Sequence, residues 1–110
     1  MTTTDISPAP AIALIGAGTI GTAWAVVFAA AGMPVRLYDA EASRLPAAQA
    51  MARARLSDLA AHGLIDGGVD DIMTRITPSA DLETALAGAD HVQENAPEDL
   101  DLKRDLLARV

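Results

Sequence analysis

Residues 11–39 decide the fold of this chain, and they read AIALIGAGTIGTAWAVVFAAAGMPVRLYD. The short apolar run at 12–15 is typical of a parallel strand buried on both faces, and apolar residues at helical spacing predict a helix over 19–31. A second strand is predicted over 35–38 and places Asp39 at its carboxyl end. Strand, glycine turn, helix, strand and acid, in that order, predict a site for the pyrophosphate and ribose of a dinucleotide.

Each of the three glycines in the turn has a separate role in such a site. Gly16 permits the tight turn out of the strand, Gly18 lets the backbone approach phosphate, and Gly21 lets the helix lie close to the sheet. Phosphate then lies at the helix N-terminus, where unpaired amides and the helix dipole favour an anion. Asp39 can accept hydrogen bonds from the adenosine ribose hydroxyls and would repel a 2′-phosphate, so NAD is favoured over NADP. The alternative is that the glycines serve helix packing alone.

Further elements are predicted along the rest of the chain from apolar spacing and turn residues. They are a long helix at 41–62 with a kink near Pro46, a turn at 66–68, a strand at 72–77, a helix at 79–86, a strand at 89–93 and a last amphipathic helix at 98–110. Right-handed crossovers then give the sheet order 3-2-1-4. The predicted fold class is α/β, a Rossmann-type doubly wound parallel sheet truncated at about four strands.

The domain organisation predicted from this pattern is simple. Residues 1–10 are polar and aperiodic and form a flexible leader, while residues 11–110 form the nucleotide-binding domain. Ligands bind such sheets at the carboxyl ends of the strands beside the switch point, which gathers the Gly16 loop, Asp39 and the loop after Glu94.

Composition excludes several classes of partner. The net charge is −7 and the few basic residues are scattered, which argues against nucleic acid. The chain has no cysteine, which excludes disulfides and a thiol nucleophile and fits a cytoplasmic protein. Residues 11–35 carry no charge, but the glycines and Pro34 within them, and the lack of any Lys or Arg before Arg36, argue against a membrane span or signal peptide.

Candidates for side-chain chemistry are few. His62 precedes a glycine at a predicted helix end, where it acts as a cap, and His91 is interpreted as a packed or edge histidine. Arg44 is interpreted as a solvated helix residue rather than a phosphate ligand. An acidic cluster near the C-terminus is interleaved with Lys103 and Arg104, so helical ion pairs explain it and no metal site is assigned. The cluster comprises Glu94, Glu98, Asp99, Asp101 and Asp105.

A second block of sequence, QENAPEDLDLKR at 93–104, is more specific than the glycines. Together with Trp24-Ala25, Phe28-Ala29 and Leu37-Tyr38-Asp39 it resembles the NAD-binding part of the 3-hydroxyacyl-CoA dehydrogenase family. The likeness covers residues 11–110 and favours the lambda-crystallin and L-gulonate 3-dehydrogenase branch.

The resemblance implies a set of cofactor contacts. It implies that the backbone at Thr19 and Ile20 meets the pyrophosphate, that Asp39 binds the adenosine ribose, and that Glu98 and Lys103 lie on the nicotinamide side of NAD. The predicted cofactor-binding residues are Gly16, Gly18, Thr19, Ile20, Gly21, Asp39, Glu98 and Lys103. No catalytic residue is assigned, because the family's catalytic His and its Glu partner, and its substrate-binding Ser and Asn, lie beyond the region covered.

The expected activity is that of an oxidoreductase in which NAD takes a hydride from the hydroxyl-bearing carbon of a 3-hydroxy acid or 3-hydroxyacyl-CoA. In the family that the chain resembles, the second helix of CoA-using members tends to be rich in lysine, whereas residues 41–62 offer only Arg44, Arg53 and Arg55. The resemblance therefore favours a free hydroxy acid over a CoA thioester. This chain is expected to bind NAD without turnover, because the remaining strands and the C-terminal helical domain are absent, and a homodimer is expected only of the full-length protein. Strand four is expected to be an exposed edge.

Two alternatives remain open from the sequence. The first is a non-catalytic nucleotide-binding or structural, crystallin-like protein, since fold does not fix function. The second is a short-chain or sugar-nucleotide reductase, which would need a Tyr and Lys pair after the nucleotide lobe; Tyr38 has no such Lys.

Overall fold

A computed structural model describes residues 9–95 of the chain. Within that range lie β1 (Ile12–Ile15), α1 (Thr19–Ala30), β2 (Val35–Tyr38), α2 (Arg44–Ala61), α3 (Val69–Met73), β3 (Ile76–Ser79), α4 (Leu82–Leu86) and β4 (His91–Glu94). The strands form one parallel sheet in the order β3-β2-β1-β4. The predicted fold class and strand order are therefore confirmed. Most of the predicted leader and all of the predicted helix at 98–110 lie outside the described residues.

The sheet buries apolar side chains on both faces. Ile12 and Leu14 of β1 belong to the larger core, which α1, α2 and α3 cover. Ile15 points to the opposite face, where it joins a smaller cluster with Leu82 of α4. Because successive side chains of a strand point to opposite faces, a central strand covered on both sides must be apolar throughout, as this one is.

The register places the ends of three strands side by side. Ile15, the last residue of β1, pairs with Tyr38 of β2 and with Glu94 of β4. The residues that follow them are Gly16, Asp39 and Asn95. The three chain segments predicted to meet at the switch point therefore do so.

The first helix ends at Ala30, one residue before the predicted end. Gly32 has a φ of +97°, a left-handed conformation that favours glycine. Its N–H donates to the Ala29 carbonyl, and the N–H of Met33 donates to the Phe28 carbonyl. Gly32 thus ends the helix as the sequence predicts.

The predicted strand at 72–77 is wrong in its first half. Residues 69–73 form the short helix α3, and β3 covers only Ile76–Ser79. Two acids in the first turn, Asp70 and Asp71, favour the helix through its dipole, and Ile72 is fully buried from it. A short apolar run is ambiguous between helix and strand, and tertiary packing decides it here.

The next helix also begins later than predicted. Its N-cap is Asp81, whose carboxylate accepts the N–H of Thr84 at 2.9 Å. Ser79, the predicted start, ends β3 instead, and its hydroxyl donates to the Asp81 carbonyl. The polar cap was correctly predicted as a feature but lies two residues further along.

The second helix starts at Arg44 rather than at residue 41. Pro46 therefore falls in its first turn, where a proline removes no helical hydrogen bond, and the helix continues to Ala61. His62 is the C-cap, and its ring Nδ1 lies 2.8 Å from the Asp58 carbonyl oxygen. The capping position predicted for this histidine is confirmed.

Replacing the buried Ile72 with alanine tests the corrected helix. We expect Ile72→Ala to lower the free energy of unfolding by about 2–5 kcal/mol, because it leaves a cavity in the core. Urea denaturation followed by circular dichroism measures the loss. Leu64→Ala is the control, since Leu64 is 68% exposed and its loss should cost about 0.5 kcal/mol or less. Equal midpoints for the two variants would contradict the placement of Ile72.

Candidate cofactor site

Two backbone hydrogen bonds fix the chain as it leaves the sheet. The N–H of Gly16 donates to the Tyr38 carbonyl at 2.7 Å, and the N–H of Asn95 donates to the Ile15 carbonyl at 2.7 Å. They extend the parallel ladder just past the strand ends. The loops after β1, β2 and β4 therefore leave the sheet at the same edge, where doubly wound folds bind ligands.

The glycine loop brings two backbone segments into direct contact. Gly16 has a φ of +108°, which favours glycine. A Cβ placed on Gly21 would lie 1.9 Å from the Gly16 carbonyl oxygen, far inside van der Waals distance. The close approach of α1 to the end of β1 thus requires a glycine at position 21, as predicted.

Gly18 lies in different surroundings. It is exposed, its φ is −78°, and a Cβ built on it would meet no protein atom within 4 Å among the described residues. Neither backbone conformation nor packing requires a glycine here. A Cβ at this position would instead occupy open space beside the helix start, which is where the sequence predicts a phosphate.

The first turn of α1 presents amides that have no acceptor within residues 9–95. Gly18 is the N-cap and supplies no side-chain cap, and the turn carries no acidic side chain. The first helical bond runs from the Thr22 N–H to the Gly18 carbonyl, so the amides of Thr19, Ile20 and Gly21 have no acceptor within the helix. Open space, free donors and the positive end of the helix dipole fit a diphosphate.

Asp39 is turned toward the glycine loop. One carboxylate oxygen accepts the Ala17 N–H at 2.8 Å, the other accepts the Glu41 N–H at 2.8 Å, and the side chain is 8% exposed. The sequence predicted ribose binding here but not these two amide contacts. A carboxylate has about four lone-pair sites, so capacity for ribose hydroxyls remains.

Arg44 is less free than predicted. Its guanidinium Nη1 lies 3.9 Å from Asp39 Oδ2, and its Nε lies 3.5 Å from Glu41 Oε2. The side chain is 47% exposed, so these pairs add little to stability. They do place a cation beside the acid that is predicted to bind the ribose.

Asn95 belongs to the same edge and was not singled out by sequence reasoning. Its Oδ1 accepts a hydrogen bond from Gln93 Nε2 at 3.0 Å. Its Nδ2 is buried and, within residues 9–95, has no hydrogen-bond acceptor. Its position in the loop after Glu94, which was predicted to meet the other loops at the switch point, was the available signal.

Glu98 and Lys103 are outside the described residues. His91 begins β4, away from the carboxyl edge, and its ring centroid is 6.0 Å from that of Phe28. Across residues 9–95, no cluster of His, Asp or Glu is suited to hold a metal, and no helix has the length and hydropathy to cross a bilayer.

Comparison with known proteins identifies the family of this chain. The sequence model described as "3-hydroxyacyl-CoA dehydrogenase, NAD binding domain" matches residues 11–110. The chain belongs to this family. NAD is accordingly the cofactor of the domain, as the glycine motif and Asp39 predict, and the predicted resemblance is confirmed.

Relatives of the 3-hydroxyacyl-CoA dehydrogenase domain include proteins with different names. A lambda-crystallin homolog from Bos taurus is 39% identical over 101 residues, which cover 90% of this chain and 32% of that protein. An L-carnitine dehydrogenase from Streptomyces coelicolor is 42% identical over 99 residues, covering 90% and 30%. The chain thus spans about a third of the length of the curated relatives it matches.

A solved structure agrees with the assignment to the 3-hydroxyacyl-CoA dehydrogenase family. The 3-hydroxybutyryl-CoA dehydrogenase of Escherichia coli K12 superposes with a TM-score of 0.79 at 34% identity, covering 94% of this chain and 22% of that one. The fold and the sequence therefore point to the same kind of domain.

Proposed function

We propose that this chain is the cofactor-binding part of an NAD-dependent dehydrogenase that oxidises the hydroxyl of a 3-hydroxy acid or 3-hydroxyacyl-CoA to the 3-oxo compound. The observation that carries the proposal is the loop in which Gly21 packs on Gly16 while the first-turn amides of α1 have no acceptor in the described part of the chain. Such a loop accommodates a diphosphate without a basic side chain.

The proposed contacts follow the cofactor from end to end. Gly18 leaves room for the diphosphate, and the backbone of Thr19 and Ile20 donates to it. Asp39 accepts hydroxyls of the adenosine ribose. Glu98 and Lys103 serve the nicotinamide half, a role that rests on the resemblance alone.

The chemistry divides between cofactor and protein. Bound NAD supplies the hydride acceptor, and the residues of this chain bind and orient it. Because the proposed site residues include no general base, we expect cofactor binding without turnover by this chain.

Substrate and partners of the whole protein are proposed in general terms. A small hydroxy acid or acyl-CoA is the substrate, and one relative is named for L-carnitine while a solved structure is named for a CoA thioester. The few arginines of α2 favour the free acid. We further propose a homodimer of the full-length protein and a cytoplasmic location. The crystallin-like, non-catalytic alternative finds no stronger support than the dehydrogenase.

Titration with NADH tests the proposed function. Trp24 is the single tryptophan and lies one turn beyond Ile20 in α1, so its fluorescence should change saturably as NADH binds. NADPH should bind more weakly by roughly tenfold or more, because the Asp39 carboxylate repels the 2′-phosphate. A chain that is folded by circular dichroism but shows no saturable response to NADH would contradict the proposal.

A further inference from the structure

We propose that Asn95 binds the nicotinamide half of NAD by donating a hydrogen bond from its side-chain amide. The inference rests on the proposed function and names a contact within the same site. The acceptor is an oxygen of the nicotinamide ribose or of the nicotinamide carboxamide, both of which lie on that half of the cofactor.

The backbone places Asn95 directly beside the glycine loop. It is the first residue after β4, and its N–H donates to the Ile15 carbonyl at 2.7 Å, so its position is fixed relative to β1. Its Cβ is 3.7 Å from the place that a Cβ on Gly21 would take. The side chain therefore begins against the first turn of α1, next to the amides proposed for the diphosphate.

The side-chain amide is held in one orientation with an unused donor. Gln93 Nε2 donates to Asn95 Oδ1 at 3.0 Å, which directs Nδ2 away from Gln93. Nδ2 is buried and has no acceptor among the described residues. A buried donor without a partner destabilises a protein. A ligand oxygen that accepts this hydrogen bond would remove that cost, which favours binding.

The strand order decides which half of the cofactor Asn95 meets. Asp39 follows β2 and Asn95 follows β4, and these strands flank β1 on opposite sides. A dinucleotide lies across the switch point with its diphosphate at the loop after β1. With the adenosine ribose at Asp39, the opposite side holds the nicotinamide half.

Asn95→Ala separates this role from a structural one. We expect the affinity for NADH to fall about tenfold, as for the loss of a buried hydrogen bond. Affinity for ADP, which carries the adenosine and the diphosphate but no nicotinamide ribose or nicotinamide, should stay unchanged. The thermal midpoint of the free chain should change little, because the substitution removes an unpaired donor together with the hydrogen bond from Gln93. Fluorescence titration and thermal unfolding without cofactor measure the three quantities.

Gln49→Ala is the matched control. Gln49 also has a buried amide atom, Oε1, that lacks a hydrogen-bond partner among the described residues, but it lies on α2 beside Arg53 and Asp70 rather than at the strand ends. Its removal should leave NADH affinity unchanged. Asn95→Asp keeps the size and the Gln93 contact but brings a negative charge toward the cofactor, so it should bind NADH more weakly than Asn95→Ala.

The outcomes distinguish a failure of this inference from a failure of the proposed function. A wild-type chain that binds neither NADH nor ADP overturns the proposed function and this inference with it. A wild type that binds both, with an Asn95→Ala variant that binds NADH normally or loses both ligands equally, overturns this inference alone. A lowered midpoint in both Asn95 variants with unchanged NADH affinity assigns the residue a purely structural role and also overturns it.

Discussion

Gly21→Ala is expected to abolish measurable NADH binding and to lower the free energy of unfolding by about 3 kcal/mol. The added methyl group would lie 1.9 Å from the Gly16 carbonyl oxygen, which is backbone and cannot rotate away. Either α1 or the end of β1 must move, and both position the amides proposed for the diphosphate. Urea denaturation and NADH titration measure the two effects.

Gly18→Ala is the matched control for this change. A Cβ at position 18 would meet no atom of residues 9–95 within 4 Å, and the φ of −78° suits alanine, so the unfolding free energy should change by about 0.5 kcal/mol or less. NADH affinity should nevertheless fall, because the methyl group occupies the space proposed for phosphate. A Gly18→Ala chain that binds NADH as tightly as the wild type would contradict the proposed position of the diphosphate.

Asp39→Ala is expected to lower the stability of the fold and to reduce the preference for NADH over NADPH. The substitution leaves the amides of Ala17 and Glu41 without their acceptor, and a buried unpaired donor costs about 1–3 kcal/mol. The Ala17 amide is buried, whereas Glu41 is exposed and its amide can bond to water, so we expect a loss of about 1–3 kcal/mol in unfolding free energy. NADH affinity should fall, and the preference for NADH over NADPH should narrow because the repelling charge is gone.

Asp39→Asn separates the two effects of that substitution. Its amide oxygen can still accept one of the two N–H groups, so it should unfold between the wild type and Asp39→Ala. It carries no charge, so Arg44, whose Nη1 is 3.9 Å from Asp39 Oδ2, would keep only Glu41 as a carboxylate partner and could meet a 2′-phosphate. Unchanged discrimination between NADH and NADPH in Asp39→Asn would refute the role assigned to the carboxylate.

Sequence alone predicted the half of the fold whose signals are local. The two strands at 12–15 and 35–38 have the predicted bounds, and α1 ends one residue early. Their apolar runs are bounded by glycine or proline, so the spacing of the apolar residues and the turn residues indicate the same strand boundaries. The strand order followed from the handedness of crossovers, which depends on chirality rather than on any one residue.

The sequence-based predictions failed where local residue patterns fit more than one structure. At 72–77 the residues fit either a strand or the end of a short helix, and only burial of Ile72 against neighbouring elements resolves the choice. The roles of Gly16 and Gly21 in the loop were predictable from spacing. The contact of Asp39 with the Ala17 amide, in contrast, joins segments 22 residues apart and carries no sequence signature. The unused donor of Asn95 depends in the same way on tertiary placement.

The contact between Gly16 and Gly21 also bears on the thermodynamics of ligand capture. The two segments are locked together by the fold itself, so the loop loses its conformational entropy during folding rather than when a cofactor arrives. A preorganised loop needs little of the binding free energy to become ordered, so more of that free energy appears as affinity.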